Sequence, residues 1–136
     1  MSKNWEAVQS RALSFFLHLY EDAVTFCNFN KYMTGYADTD LFGPSNELTL
    51  AEFVTVLHRI VDPEAAGVDF TTAKNETSFA DVEDGKFYTA AANWAVANKI
   101  ITGVDVDGTR YVQADTILSR AMAAQVIANS CYNDLL

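Results

Sequence analysis

The sequence contains little proline, glycine or cysteine, and it has no long apolar run. Two prolines and six glycines among 136 residues, with 12% aromatic residues, exclude a disordered or low-complexity chain. The longest apolar run, at 12–20, is too short to cross a bilayer and includes His18. Half of the residues are hydrophobic, so we expect 1–136 to form a single globular domain with a buried core.

Basic residues are also scarce, because nine lysines and arginines stand against 18 acidic residues. The resulting formal charge of −9 repels nucleic acid and anionic membranes. We therefore expect no direct nucleic-acid binding and no membrane association. The same charge favours a protein partner with a basic surface.

A secretory signal is not evident near the start of the chain. Glu6 lies where a leader would be basic, and the acidic segment 20–22 stands where a cleavage site needs small residues. This predicts a cytoplasmic protein, with the cell surface as the alternative if a leader has been trimmed. Cys27 and Cys131 lack Cys or His neighbours at metal-binding spacing and are interpreted as small buried or incidental free thiols, with a disulfide between them as the alternative. We expect no metal and no cofactor.

One phrase occurs twice in the chain. Residues 30–35 read NKYMTG and residues 98–103 read NKIITG, and the two differing positions are apolar in both. Each phrase follows an amphipathic helical pattern and precedes an acidic loop and a second helix start. The fold class predicted is mainly α, with two helix–loop–helix repeats, short extended loop segments and a longer N-terminal helix. Gly35 and Gly103 are expected where the backbone needs a conformation that alanine resists.

Local signals predict the boundaries of the two units. Thr49 and Glu52 form a capping box, and the helix that follows should stop at 62–63, where the sequence is Asp-Pro. Ser119 should cap the last helix. The predicted division is 1–61 for the N-terminal helix and first repeat, 62–77 for an exposed linker, and 78–136 for the second repeat.

Two further features leave alternatives open. Asp81, in the extended segment SFADV at 78–82, is placed to hold a turn. An apolar stripe precedes the first phrase and is interpreted as core, or alternatively as a partner-binding face. The residues of this stripe are Trp5, Val8, Ala12, Phe15, Leu19 and Phe26.

The repeated unit resembles the S-layer homology (SLH) module. That module combines an F-x-D-V opening, a helix with an aromatic residue followed by alanine, a G-[IV]-[IV]-x-G turn, an Asp- and Gly-bearing loop, and a T-R-A-E-like helix start. The second unit matches at 79–82, 94–95, 100–103, 107–111 and 118–121. The first matches at 32–36, 38, 42–44 and 48–53. The resemblance covers about 100 residues of the 136.

The resemblance implies a helical, non-catalytic module. SLH modules typically occur in threes and anchor exported proteins to anionic cell-wall polysaccharide. An arginine at a helix N-terminus, beside free backbone N–H groups, suits such an anion. On this hypothesis the ligand would be bound by Arg120, Ser119, Gly103 and Trp94.

The chain departs from the family pattern in ways that favour another function. It has two repeats rather than three, and Leu50 stands where the second copy has Arg120. The flank left by a third repeat would be covered by the N-terminal helix or by a second copy of the chain. The preferred hypothesis is an intracellular acidic interaction module or inhibitor, for example a phage-encoded protein that blocks a host nucleic-acid-binding complex. Its partner-binding surface would comprise Asp38, Asp40, Glu47, Asp81, Glu83, Asp84, Asp105 and Asp107.

Catalytic and metal-binding patterns are not evident. Gly108 at the sixth position of an EF-hand loop would put Gly103 and Ala114 where the strongest carboxylate ligands belong, so an ordinary turn is preferred. His18 and His58 have no neighbouring ligand pattern, and His18, beside the apolar stripe, is interpreted as a packed or boundary side chain. We therefore predict that the protein is not an enzyme.

Overall fold

The structure is a computed structural model that describes the backbone of residues 11–136 and the side chains of residues 20–136. Four helices and one small antiparallel sheet make up the regular structure of this part, so the fold is mainly helical. The helices are α1 Arg11–Phe29, α2 Leu50–Val61, α3 Thr89–Ala97 and α4 Arg120–Tyr132. Strands β1 Val104–Val106 and β2 Thr109–Tyr111 form a hairpin.

The chain forms two compact units, residues 1–46 and residues 47–136. The boundary between the two compact units falls just before α2. The predicted division into repeats, with a boundary at 61, concerns a different property and stays a prediction. The segment 62–77, predicted as a linker, contains two 3-10 helices, Pro63–Gly67 and Phe70–Thr72.

The described part of the unit 1–46, residues 11–46, consists of α1 and the loop that follows it. Val24 is buried there and packs against Phe42. Of the predicted apolar stripe, only the Phe26 side chain lies within the described residues. It is 60% exposed and makes an edge contact with Tyr32, so its burial in a core is not observed. The side chains of Trp5, Val8, Ala12, Phe15 and Leu19, and that of His18, lie outside the described residues.

The unit 47–136 has two adjoining apolar clusters. In the first, Leu50, Val54 and Leu57 of α2 pack with alanines of α3 and with Val126 of α4. In the second, Phe79, Val82, Tyr88 and Val112 surround Ala51 and Ala92. The sequence signals for α2 are confirmed, because Thr49 and Glu52 form the capping box and the helix ends at Val61 before Pro63. Ser119 caps α4, as predicted.

The two copies of the repeated phrase adopt the same backbone conformation. Lys31 and Lys99 have φ angles of 63° and 58°, and Gly35 and Gly103 have φ angles of 77° and 68°. In both copies the asparagine side chain donates a 2.9 Å hydrogen bond to the carbonyl four residues earlier. The left-handed conformation predicted for the two glycines is confirmed.

The starts of α2 and α4 lie side by side in the unit 47–136. The amides of Leu50 and Ala51 donate to the carbonyls of Thr116 and Ala114 at 2.9 and 3.0 Å. The amide of Leu118 donates to the carbonyl of Leu48 at 2.8 Å. The first N–H groups of α2 have no acceptor within the helix. Those of Leu50 and Ala51 instead donate to the segment that precedes α4.

Candidate functional site

An open depression of about 350 Å³ lies on one face of the β1–β2 hairpin. Val104 pairs with Tyr111 and Val106 pairs with Thr109, so these four side chains project to the same side of the sheet. Val104 and Val106 are 40% and 53% exposed. The segment 113–116 and Asp81 complete the lining. The floor of the depression is therefore apolar and reachable from solvent.

The local sequence explains why the hairpin forms here. Asp107 and Gly108 both have positive φ angles, 53° and 84°, as a two-residue type I′ turn requires. Asp105 accepts a 2.9 Å hydrogen bond from the Gly108 amide through Oδ1. The interpretation of this segment as an ordinary turn, with its acids bonded to backbone N–H groups, is confirmed for Asp105.

Asp81 fixes the opposite wall of the depression. Its carboxylate oxygens accept hydrogen bonds from the amides of Val112, Gln113 and Ala114 at 2.8, 2.7 and 3.3 Å. Gln113 has a φ of 64°, which turns the chain so that the three amides converge on one side chain. Asp81 holds a turn as predicted, but the turn lies more than 30 residues further along the chain.

The depression carries negative charge. Asp115 is exposed on its rim, and among the described residues no hydrogen bond or ion pair involves its carboxylate. The pKa of the Tyr88 hydroxyl is raised, chiefly by burial and further by the charges of Glu83, Asp115 and Asp81. None of the residues that line the depression is basic.

The other face of the hairpin is occupied. Arg110 lies 4.4 Å from the ring centroid of Phe79 and donates to the Ser78 hydroxyl at 3.2 Å. Gly103 sits under the same ring, and a Cβ there would overlap the Phe79 side chain and lie 2.7 Å from the Tyr111 carbonyl oxygen. This face is therefore closed by packing, whereas the face with Val104 and Val106 is open.

The four residues proposed for an anionic sugar have different contacts. A Cβ on Gly103 would meet Phe79 and Tyr111, as described above. Ser119 accepts a 3.1 Å hydrogen bond from the Met122 amide, and Arg120 beside it is exposed. Trp94 packs against the first apolar cluster, as do Leu118 and Met122. Within residues 20–136, no hydrogen bond joins the side chains of Trp94, Ser119 and Arg120 to one another.

The side chain of Trp94 contacts His58 of α2. Its ring stacks on the imidazole of His58, with 4.8 Å between the centroids and an interplanar angle of 21°. Burial lowers the pKa of His58; the Asp62 charge opposes this shift and the Arg59 charge adds to it. His58 is thus a half-buried side chain packed against Trp94.

The eight acidic residues proposed for a partner surface differ in their availability. Asp38 and Asp40 are exposed in the unit 1–46, and the other six lie in the unit 47–136. Asp81 is half-buried and fully engaged with backbone amides, so it lines the depression without offering a free carboxylate. The Asn75 amide and the Lys74 ammonium lower the pKa of Asp84, and Glu83 pairs with Lys86 at 3.3 Å. Glu47, Asp105 and Asp107 are exposed.

The described residues contain neither a metal-binding group nor a membrane-spanning helix. No group of three or more His, Cys, Asp or Glu side chains that could hold a metal ion occurs among the described residues. Within them, no helix is both long enough and apolar enough to cross a membrane. Cys27 and Cys131 are free thiols, as predicted.

The apolar part of the depression is not among the sequence predictions. Interpreting residues 104–116 as an acidic loop selects Asp105 and Asp107, but not Val104, Val106 or Asp115. The available signal was the pattern V-D-V-D-G-T-R-Y, in which an Asp-Gly pair between alternating residues predicts a hairpin. The same alternation places both valines and the tyrosine on one face.

Comparisons of the chain with protein-family models, with curated proteins and with solved structures gave no match. The resemblance to SLH modules rests on the sequence motifs given above.

Proposed function

We propose that the protein is a non-catalytic binding module whose 47–136 unit recognises a protein partner with a basic surface. The observation that carries this proposal is the depression on the hairpin, where exposed valines adjoin an unpaired carboxylate and no basic side chain. The unit as a whole has 13 acidic and six basic residues, a net charge of −7. An apolar contact surface within an acidic field suits a basic partner, because burial supplies affinity and charge speeds encounter.

The fold proposed for this function is a pair of SLH-like repeats. Its support is the shared conformation of the two NK-x-x-TG phrases and the matching caps at Thr49 and Ser119. An intracellular inhibitor that offers an acidic surface to a basic groove is one form of this function. The carboxylate best placed for such a role is that of Asp115, which is exposed and lines the depression.

Affinity capture with the intact protein tests the proposal. The immobilised chain is exposed to an extract of the organism that encodes it, beside a Val106→Lys variant that places a positive charge in the depression. We expect one protein, in stoichiometric amount, that is retained by the native chain, lost with Val106→Lys and released by raised salt. Circular dichroism of the variant shows whether it stays folded. Capture of no partner, or equal capture by the folded variant, contradicts the proposal.

A second candidate function is binding of anionic cell-wall polysaccharide at the start of α4. It is favoured by one observation: among the described residues, the Arg120 and Ala121 amides have no hydrogen-bond acceptor, and the Arg120 guanidinium is exposed beside them. Sedimentation of the protein with purified wall polysaccharide tests it. Saturable binding that is lost in Arg120→Ala supports this function, and its absence leaves the first proposal.

A further inference from the structure

The shape of the hairpin depression limits what can enter it. A volume of about 350 Å³ is enough for one or two side chains of a partner. The hairpin contributes few side chains to it, since each strand has three residues and only alternate side chains face the depression. A single long side chain of the partner, or that side chain with one neighbour, therefore matches its size.

The chemistry of the lining selects among long side chains. Val104 and Val106 present methyl groups, Tyr111 presents an aromatic ring, and Asp115 presents a carboxylate at the rim. An aliphatic stem gains from contact with the valines, and a cationic head gains from the ring and from the carboxylate. An acidic side chain would face Asp115 and Asp81, with no cation in the lining to balance the repulsion.

A guanidinium group suits this lining better than an ammonium group does. Arginine is planar, stacks on aromatic rings and forms paired hydrogen bonds with a carboxylate, and it is less strongly hydrated than lysine. The protein shows the same contact on the other face of the hairpin, where its own Arg110 lies over Phe79. Asp115 is free to accept such a bond, whereas the oxygens of Asp81 are already bonded to backbone amides.

We propose that the depression binds an arginine side chain of the partner, with the stem against Val104 and Val106 and the guanidinium between Tyr111 and Asp115. This inference rests on the proposed function, since it names the group of the basic partner that is recognised. Lysine would enter with lower affinity, and citrulline, which has nearly the same shape without the charge, would lack the ionic bond to Asp115.

A peptide titration followed by nuclear magnetic resonance tests the inference without knowledge of the partner. The full chain, labelled with ¹⁵N, is titrated with the capped peptide Gly-Ala-Arg-Ala-Gly and, separately, with the same peptide carrying citrulline or lysine. We expect amide shifts confined to residues 104–116. The citrulline peptide should bind roughly 10-fold more weakly than the arginine peptide, the size of one charge-assisted hydrogen bond.

Two variants and a matched control locate the binding. Asp115→Asn should weaken the arginine peptide roughly 10-fold, and Val106→Thr, which keeps the shape of the side chain, should weaken it a few-fold. Asp134→Asn removes the same charge from the exposed C-terminal end of the unit and should leave the affinity unchanged. Each substitution is at an exposed position, so the fold should be kept.

The outcomes separate this inference from the proposed function. Absence of shifts at 104–116, equal binding of the citrulline peptide, or an equal loss with Asp134→Asn overturns the arginine site. If a captured protein partner still depends on Val106 in that case, the proposed function stands and only the inference fails. If the peptide binds as expected and no protein is captured, the arginine site is supported and the proposed function fails.

Discussion

The carboxylate of Asp81 accepts a 2.8 Å hydrogen bond from the backbone amide of Val112, 31 residues further along the chain. With the neighbouring bonds to Gln113 and Ala114, this contact joins the SFADV segment to the turn that follows the hairpin. Val112 is buried, so its amide has no access to solvent as a substitute partner. Asp81 therefore sets the position of the 113–116 wall, and with it the shape of the depression.

Replacing Asp81 by alanine should be strongly destabilising. Three backbone amides lose a carboxylate acceptor, and two of them belong to buried residues, so we expect the free energy of unfolding to fall by roughly 3 kcal/mol. Urea denaturation of Asp81→Ala and of native protein measures the loss. The control Glu64→Ala, at an exposed position, should change the value by less than about 0.5 kcal/mol. An equal effect of both variants would contradict the structural role of Asp81.

Three glycine-to-alanine substitutions separate backbone strain from steric overlap. Gly103→Ala meets both, because φ is +68° and the new Cβ would overlap the Phe79 ring, and it should cost about 3 kcal/mol or more. Gly108→Ala meets only the strain, with φ at +84° and open space around it, and should cost about 1 kcal/mol. Gly67→Ala meets neither and should be close to neutral. Thermal unfolding should rank the losses of stability in this order. A loss for Gly103→Ala no larger than that for Gly108→Ala would contradict the close contact between Gly103 and the Phe79 ring.

Loss of the caps should weaken α2 and α4 separately. Thr49→Ala removes the acceptor of the 3.2 Å bond from the Glu52 amide, and we expect it to lower stability by about 1 kcal/mol. Ser119→Ala removes the equivalent 3.1 Å bond from Met122 and should cost a similar amount, about 1 kcal/mol. Thr49→Ser and Ser119→Thr keep the acceptor and serve as controls. Guanidinium titrations in which the controls lose as much as the alanine variants would count against the capping roles.

Stability should fall below neutral pH because of His58. Its pKa is lowered in the folded state by burial, so the unfolded chain binds the proton more tightly. The contribution of His58 to the free energy of unfolding is complete above its pKa in the unfolded chain, about 6.5. It decreases as the pH falls from there toward the lower pKa of His58 in the folded protein. Urea midpoints at pH 7.5 and 5.5 measure the effect.

Two variants assign this pH dependence. His58→Phe keeps an aromatic ring against Trp94 and removes the titrating group, so the difference between the two midpoints should shrink. His18→Gln changes the other histidine of the chain and should leave the difference as it is. If the difference between the two midpoints is kept in His58→Phe and lost in His18→Gln, the pH dependence comes from His18, and the prediction for His58 is contradicted.

The local structure of the chain was predictable because its signals act over a few residues. Thr49, Ser119 and Pro63 define helix ends through bonds or steric effects within one turn, and each was read correctly from the sequence. The left-handed glycines followed from the repeated phrase for the same reason. The mainly helical class was predictable from apolar periodicity, although the short hairpin was treated as a loop.

The sequence by itself determined where α2 begins and ends, where α4 begins, the acidic charge and the two matching turns, since these depend on neighbouring residues or on composition alone. Only the tertiary structure decided that Asp81 bonds to the amides of residues 112–114, that Trp94 stacks on His58, and that Val104 and Val106 face solvent beside Asp115. These relationships join residues 9 to 36 positions apart. Which of many such pairs meet depends on how the helices and the hairpin pack, and no local pattern records it.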